Sequence, residues 1–206
     1  MRKPVFYLDL DRTIFRTDQI AKFFPVLERL YPENSAIRTA YEARESYHVF
    51  PHLEEGDRKT YYYDLTSQLE QAGLDARQVF SQLHDTELSD GRFEYDGAEE
   101  LVQILKARGE VKILTYGEEV YQKFKASLCP SLLGLEVITT VELKVKYLNE
   151  HSTARDWIID DKIINGIRTG MHALHILHDT SKPAQTHSLT EVAELIRVAV
   201  PLHVGK

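Results

Sequence analysis

The chain is poor in several things. Its 206 residues include one cysteine, Cys129, which has no intramolecular partner for a disulfide. Seven prolines and ten glycines, beside 43% hydrophobic and 28% charged residues, exclude a low-complexity or disordered chain. They suit one compact domain, or one plus a modest insertion. No apolar run approaches the roughly 20 residues that span a bilayer. No charged start followed by an apolar run of signal-peptide length is found either, so a cytoplasmic location is expected. Clustered positive charge is missing too. Lys and Arg number 25 against 32 Asp and Glu, a net charge of −7, which argues against a nucleic-acid or anionic-membrane partner.

What is present is a series of short, continuous apolar runs of strand character: Val5 to Leu8, Val111 to Leu114, Leu135 to Val141, Trp157 to Ile159 and Ala173 to Leu177. Helical patterns follow the later four, over Glu118 to Leu128, Val145 to Glu150, Ile163 to Met171 and the stretch SLTEVAELIRVAV, where Ser188 and Glu191 form a capping box. Strands that are apolar throughout, separated by helices, predict a parallel sheet covered on both faces, a doubly wound α/β fold. About a hundred residues separate the first two strands, too many for one crossover. The interval reads as mostly helical, with Asp57 and Asp75 as helix caps and Gly73 as a stop, before DGAEELVQILKARG returns the chain to the sheet. The expected organisation is therefore a core of residues 1–16 and 92–206, with a helical cap of 17–91 inserted after the first strand.

Open α/β sheets bind ligands beyond the carboxyl ends of their strands, and the unusual polar residues fall there. Asp9 and Asp11 follow the first strand, Thr115 closes VKILTYG, Lys144 and Lys146 follow the third strand, and Asp160 with Asp161 end DWIIDD. While the chain stays extended, residues two apart project to one side, so Asp9 and Asp11 are expected to face one ligand. Up to four carboxylates at one pole require a cation. Hard oxygen donors, without histidine at ligand spacing or a second cysteine, point to Mg2+ rather than zinc. Magnesium held by a few carboxylates keeps open positions for a phosphate oxygen, which Thr115 would hydrogen-bond and a lysine would neutralise.

In this order, DLDRT, Thr115 in ILTYG, a lysine in ELKVKYL and then IIDDK resemble the four-motif signature of the haloacid dehalogenase superfamily. The resemblance covers residues 1–15 and 96–200. It implies a phosphatase acting on a small-molecule phosphate ester, with Asp9 as nucleophile and Asp11 as general acid and base. It also implies magnesium held by Asp9, the backbone carbonyl of Asp11 and Asp161, with Asp160 as a further acidic contact. Thr13, Thr115 and Lys144 would bind the phosphoryl group. Lys144 is preferred to Lys146 because it opens the helix, with Leu148 four residues on. Arg12 stands where glycine is frequent, and would either reach a substrate anion or lie in solvent.

Asp11 argues against the dehalogenase branch and against a non-catalytic phosphoryl-binding module. A phosphomutase or phosphotransferase shares every catalytic residue and stays open as an alternative, beside the non-catalytic module that Asp11 disfavours. A signalling receiver would place adjacent acidic residues on the first strand, which is not the pattern here. The histidines at 172, 175 and 178 read as ordinary polar edge residues, and the insertion's aromatics, Tyr41, Tyr47, Phe50 and Tyr61 to Tyr63, as the cap's own core.

Overall fold

The computed structural model describes residues 2–43, 47–49, 61–86, 88, 90–178 and 187–202. Strand β1 (Val5–Leu8) is buried at all four positions. Its period of two sends Phe6 and Leu8 into a large cluster on one face and Val5 and Tyr7 into a smaller one on the other. A strand with no polar face must lie in the middle of a sheet. Accordingly β1 pairs in parallel on both sides, Leu8 opposite Ile113 of β4 (Glu110–Tyr116) and opposite Ile159 of β6 (Trp157–Asp160). With β5 (Glu136–Thr140) and β7 (His172–His175) outside these, the sheet order is β5-β4-β1-β6-β7, every pairing parallel.

Helices cover both faces, as an all-parallel sheet demands. Helices α5 (Ala98–Arg108), α6 (Glu119–Ser127) and α8 (Leu189–Ala199) bury residues in the large cluster, while Leu148 of α7 (Lys144–His151) joins Tyr7, Leu114 and Ile158 in the smaller one. The capping box of Ser188 and Glu191 opens α8 as expected. All five expected strands are present, within a residue or two at each end. The helix expected over Ile163 to Met171 is not; turns run there instead. Gly166 and Gly170 adopt φ of 77° and 89°, left-handed positions that interrupt a right-handed helix.

The long interval after β1 holds α1 (Phe23–Leu30), α2 (Ala36–Ala43), α3 (Leu65–Gln71) and α4 (Ala76–His84). It also holds a short antiparallel pair, β2 (Tyr47–Val49) with β3 (Tyr61–Tyr63). The expected helix from Asp57 is thus corrected. Asp57 lies outside the described residues, the three tyrosines are extended as aromatics prefer, and α3 starts only at Leu65, where Asp64 accepts from the Ser67 amide at 3.2 Å. Asp75 caps α4 as expected, accepting from the Gln78 amide at 3.1 Å. The side chains of Tyr41, Tyr47, Phe50 and Tyr61 to Tyr63 lie outside the described residues.

These helices share the core of the sheet. Phe23, Leu65 and Phe80 belong to the same cluster as Phe6 and Leu8. The join is aromatic: Phe80 of α4 stacks on Phe124 of α6 with centroids 4.5 Å apart, and Phe23 of α1 packs on Phe93 at 5.1 Å. No described helix is long and apolar enough to cross a membrane.

Candidate active site

The Asp9 amide still donates to the Ile159 carbonyl at 2.9 Å, continuing the sheet. The chain then turns sharply. The Leu10 carbonyl accepts from the amides of Thr13, Ile14 and Phe15, at 3.3, 3.0 and 2.8 Å, and Arg12 takes a left-handed φ of 60°. Leu10, Ile14 and Phe15 are fully buried, which anchors the turn in the core. The expectation that Asp9 and Asp11 face one ligand assumed an extended chain, whereas the chain turns after Leu10 and the two carboxylates pair with different lysines. Asp9 points inward, its side chain 5% exposed, whereas the Asp11 side chain is 32% exposed and turns to a different cation.

Around Asp9 the structure gathers three carboxylates. Asp9, Asp160 and Asp161 each offer an oxygen within 4.8 Å of the others. Lys144, at the first position of α7, reaches into them, donating to Asp9 Oδ1 and, at 2.6 Å, to Asp160 Oδ2. The other Asp9 oxygen accepts from the buried Thr13 hydroxyl at 2.9 Å. The Lys162 amide holds Asp160 Oδ1 at 2.8 Å, and the His175 ring donates to the Asp161 carbonyl at 2.7 Å.

Burial pushes the Asp9 carboxyl above the usual carboxylate range. Lys144 pulls it back, and Asp160 and Asp161 push it up again. Asp161 is raised by burial first and by Asp160 second. Lys144 loses some basicity to burial but is raised on balance by Asp160 and Asp9. Burial leads both carboxyl shifts and the neighbouring carboxylates add to it, while the lysine is held charged by the acids it touches. Three carboxylates meet one ammonium in direct contact, with Lys162 and Arg12 acting on Asp161 from further off, and the donors are hard oxygens only. That set fits a divalent cation of the magnesium type.

The other expected residues are placed as follows. Lys146 points to solvent and pairs with Glu142 at 2.7 Å, so of the two lysines it is Lys144 that lies at the cluster. Thr115, 1% exposed at the end of β4, donates to Gln122 Oε1 over 3.2 Å, while Gln122 Nε2 donates to the Tyr116 carbonyl at 2.9 Å. Arg12 is exposed, and its charge is felt at Asp161 and Tyr95.

Of the histidines, His172 stacks on Trp157 and His175 joins the Asp161 loop. His178 lies beyond β7, stacked on Tyr95 at 3.4 Å, and donates from Nε2 to the Thr13 carbonyl at 3.0 Å. No histidine belongs to a metal-binding group among the described residues.

Two residues were missed in the sequence. Gln122 holds Thr115, and Lys125, on the same helix, places Nζ 2.6 Å from both oxygens of Asp11. Lys125 is 3% exposed, and its position four residues after Tyr121 and three before Leu128 puts a charge on an apolar stripe. That was the available signal.

No protein-family model matches the sequence, and no curated protein does. Solved structures do. A chain described as a haloacid dehalogenase-like hydrolase from Burkholderia xenovorans superposes with a TM-score of 0.57 at 18% identity, covering 94% of this chain and 99% of its own. A haloacid dehalogenase-like family hydrolase from Xanthomonas campestris gives 0.48 at 14% identity, over 95% and 91% of the two chains. A HAD-hydrolase from Bacillus subtilis, described as bound to magnesium, gives 0.49 at 16%, over 96% and 99%. At these identities the likeness is one of fold. The chain has the fold of the haloacid dehalogenase-like hydrolases, with its acidic cluster at the carboxyl end of the parallel sheet.

Proposed function

We propose that the chain is a magnesium-dependent phosphomonoester hydrolase acting on a small phosphorylated molecule through an aspartyl-phosphate on Asp9. One observation carries this reading. A buried carboxylate, held by Thr13 and Lys144, sits within 4.8 Å of two further carboxylates at the ligand-binding edge of an α/β sheet.

Asp9, Asp161 and the Asp11 backbone carbonyl would hold the metal, with Asp160 as a further acidic contact. When bound, the metal would supply positive charge for the phosphoryl oxygens. Asp9, fixed at both oxygens, attacks phosphorus in line. The bond to the leaving oxygen breaks and Asp11 supplies that oxygen's proton. Asp11 then takes a proton from the water that attacks phosphorus, releasing phosphate and restoring Asp9. Lys144 neutralises the phosphoryl oxygens alongside Asp9. Thr115 would exchange its long bond to Gln122 for one to a phosphoryl oxygen. The segment of residues 17–91 would act as a cap that excludes water and selects the leaving group. Its supports are the packing of α4 on α6 and the Thr66 hydroxyl, which donates to Glu118 at 2.6 Å beside the end of β4.

A panel of alkyl and aryl phosphate esters, assayed with magnesium and with excess EDTA, tests the reading. Turnover of at least one ester with magnesium, abolished by EDTA and by Asp9→Asn, is the expected result. Hydrolysis undiminished in EDTA would overturn it.

A further inference from the structure

Helix α6 carries two side chains that end at the catalytic loops, and its last turns hold a lysine for which packing alone gives no reason. Lys125 is 3% exposed, with its ammonium 4.9 Å from the Tyr121 ring centre and 5.6 Å from that of Phe15. The ring faces attract the ammonium, but desolvating the charge costs more than that attraction returns, so it needs an ionic partner, whereas a methionine would fill the same space without one. Its ionic partner among the described residues is Asp11, at 2.6 Å from both carboxylate oxygens.

Asp11 does not need that partner to stay hydrated, because a third of its side chain is open to solvent. What the pair does is fix the carboxylate's direction. Both oxygens bond the one Nζ, so α6 holds the carboxylate in place while the third of its side chain that is open stays available to a ligand. Gln122 lies one helical turn before Lys125, on the same face of α6, and holds Thr115 through its amide. One rigid helix thus sets both a phosphate-binding hydroxyl and the acid-base carboxylate.

We infer that Lys125 is a positioning residue, which aims the Asp11 carboxylate at the leaving oxygen and later at the attacking water. The inference rests on the phosphatase reading above.

A double-mutant cycle tests it: kcat and KM for an alkyl and a nitrophenyl phosphate, with magnesium, in the wild type, Lys125→Met, Asp11→Asn and the double variant. Thermal midpoints confirm that each is folded, and Lys125→Gln replaces the methionine variant if that one is not. Lys125→Met should lower kcat on the alkyl ester by about 10- to 100-fold, the scale of a misplaced catalytic group, with KM changed by less than about 3-fold. The nitrophenyl ester, whose leaving group needs no proton, should suffer less. Added to Asp11→Asn, the lysine change should cost nothing further, within about 3-fold, because its effect passes through a carboxylate no longer there.

A double variant reduced by the product of the two single effects overturns the inference. So does Lys125→Met retaining alkyl-phosphatase activity within about 2-fold, or an equal loss on both esters in the first-turnover burst, which reads departure of the leaving group alone. A wild type with no turnover on any ester removes the phosphatase reading and this role together, whereas an active wild type with additive variants removes the role of Lys125 alone.

Discussion

Replacing Lys144 by methionine strips the acidic cluster of the cation in direct contact with Asp9 and Asp160. At 4.8 Å and an effective dielectric near 20, each pair among Asp9, Asp160 and Asp161 repels by about 3.5 kcal/mol. Lys144 offsets this through its contacts to Asp9 and Asp160, the latter at 2.6 Å. Breaking a buried ion pair by removing one partner costs about 3–5 kcal/mol. In a chain of this size that is a fall in thermal midpoint of about 6 to 20 °C.

The deficit depends on pH. Burial already raises the Asp9 carboxyl, so the folded chain takes up that proton more readily than the unfolded one. Stability from this source is present at low pH and is lost as pH rises through the folded value. Protonation relieves the repulsion, so the variant's deficit should be small near pH 5 and grow toward pH 8. Magnesium should narrow it, since a ligand at 100 times its Kd stabilises by about 2.7 kcal/mol and the variant has more repulsion to relieve. The assay is thermal and urea unfolding in EDTA and in magnesium, with Lys146→Met as a control whose midpoint should not move, because Lys146 pairs with Glu142 in solvent. A Lys144→Met protein as stable as wild type in EDTA at pH 8, or one whose deficit magnesium leaves unchanged, would show that Lys144 does not offset the charge of the cluster.

In about 0.5 M salt, which screens the exposed Arg12 charge from Asp161, Arg12→Gly should stabilise the fold by about 0.5 kcal/mol: a side chain at φ 60° costs roughly 1 kcal/mol, and the added freedom of glycine in the unfolded chain returns part of it. Urea unfolding reads this, and a clear loss would mean that Arg12 makes a contact worth more than its strain. His178→Phe keeps a ring against Tyr95 and removes the titration. Burial, with Arg16, holds the His178 imidazole below its ordinary value despite its bond to Thr13, so its contribution is complete above about pH 6.5 and is lost as pH falls through the folded value. The stability gap between wild type and variant should therefore shrink from pH 7.5 to pH 5; a gap that widens would contradict the assignment.

What was legible in the sequence is what strand ends make legible. Asp9, Lys144, Asp160 and Asp161 are polar residues placed where apolar runs stop, and a parallel sheet brings such ends together whatever the loops do. The direction of Asp11 was not legible, because it depends on the turn that the Leu10 carbonyl nucleates and on an arginine in a left-handed conformation. Lys125 was hidden by its neighbour. Lys123, two residues earlier, pairs with Glu119 in solvent, and the stretch YQKFKAS reads as an ordinary exposed helix unless the period is followed to the buried face. The apolar period over Ile163 to Met171 suggested a helix, and Gly166 and Gly170 outweighed it. At Tyr61 to Tyr63 the strand preference of an aromatic run outweighs the helical pattern around it.

In the proposed mechanism Asp9 carries the phosphoryl group. Wild-type protein quenched during steady turnover of its best phosphate ester in magnesium, then treated with borohydride, would have any acyl phosphate reduced to the alcohol. Peptide mass mapping then locates the modified residue. Homoserine in place of Asp9, absent without substrate, is the result predicted. Reduction at another carboxylate, or an unmodified Asp9 in a preparation whose intermediate demonstrably accumulates, would contradict it.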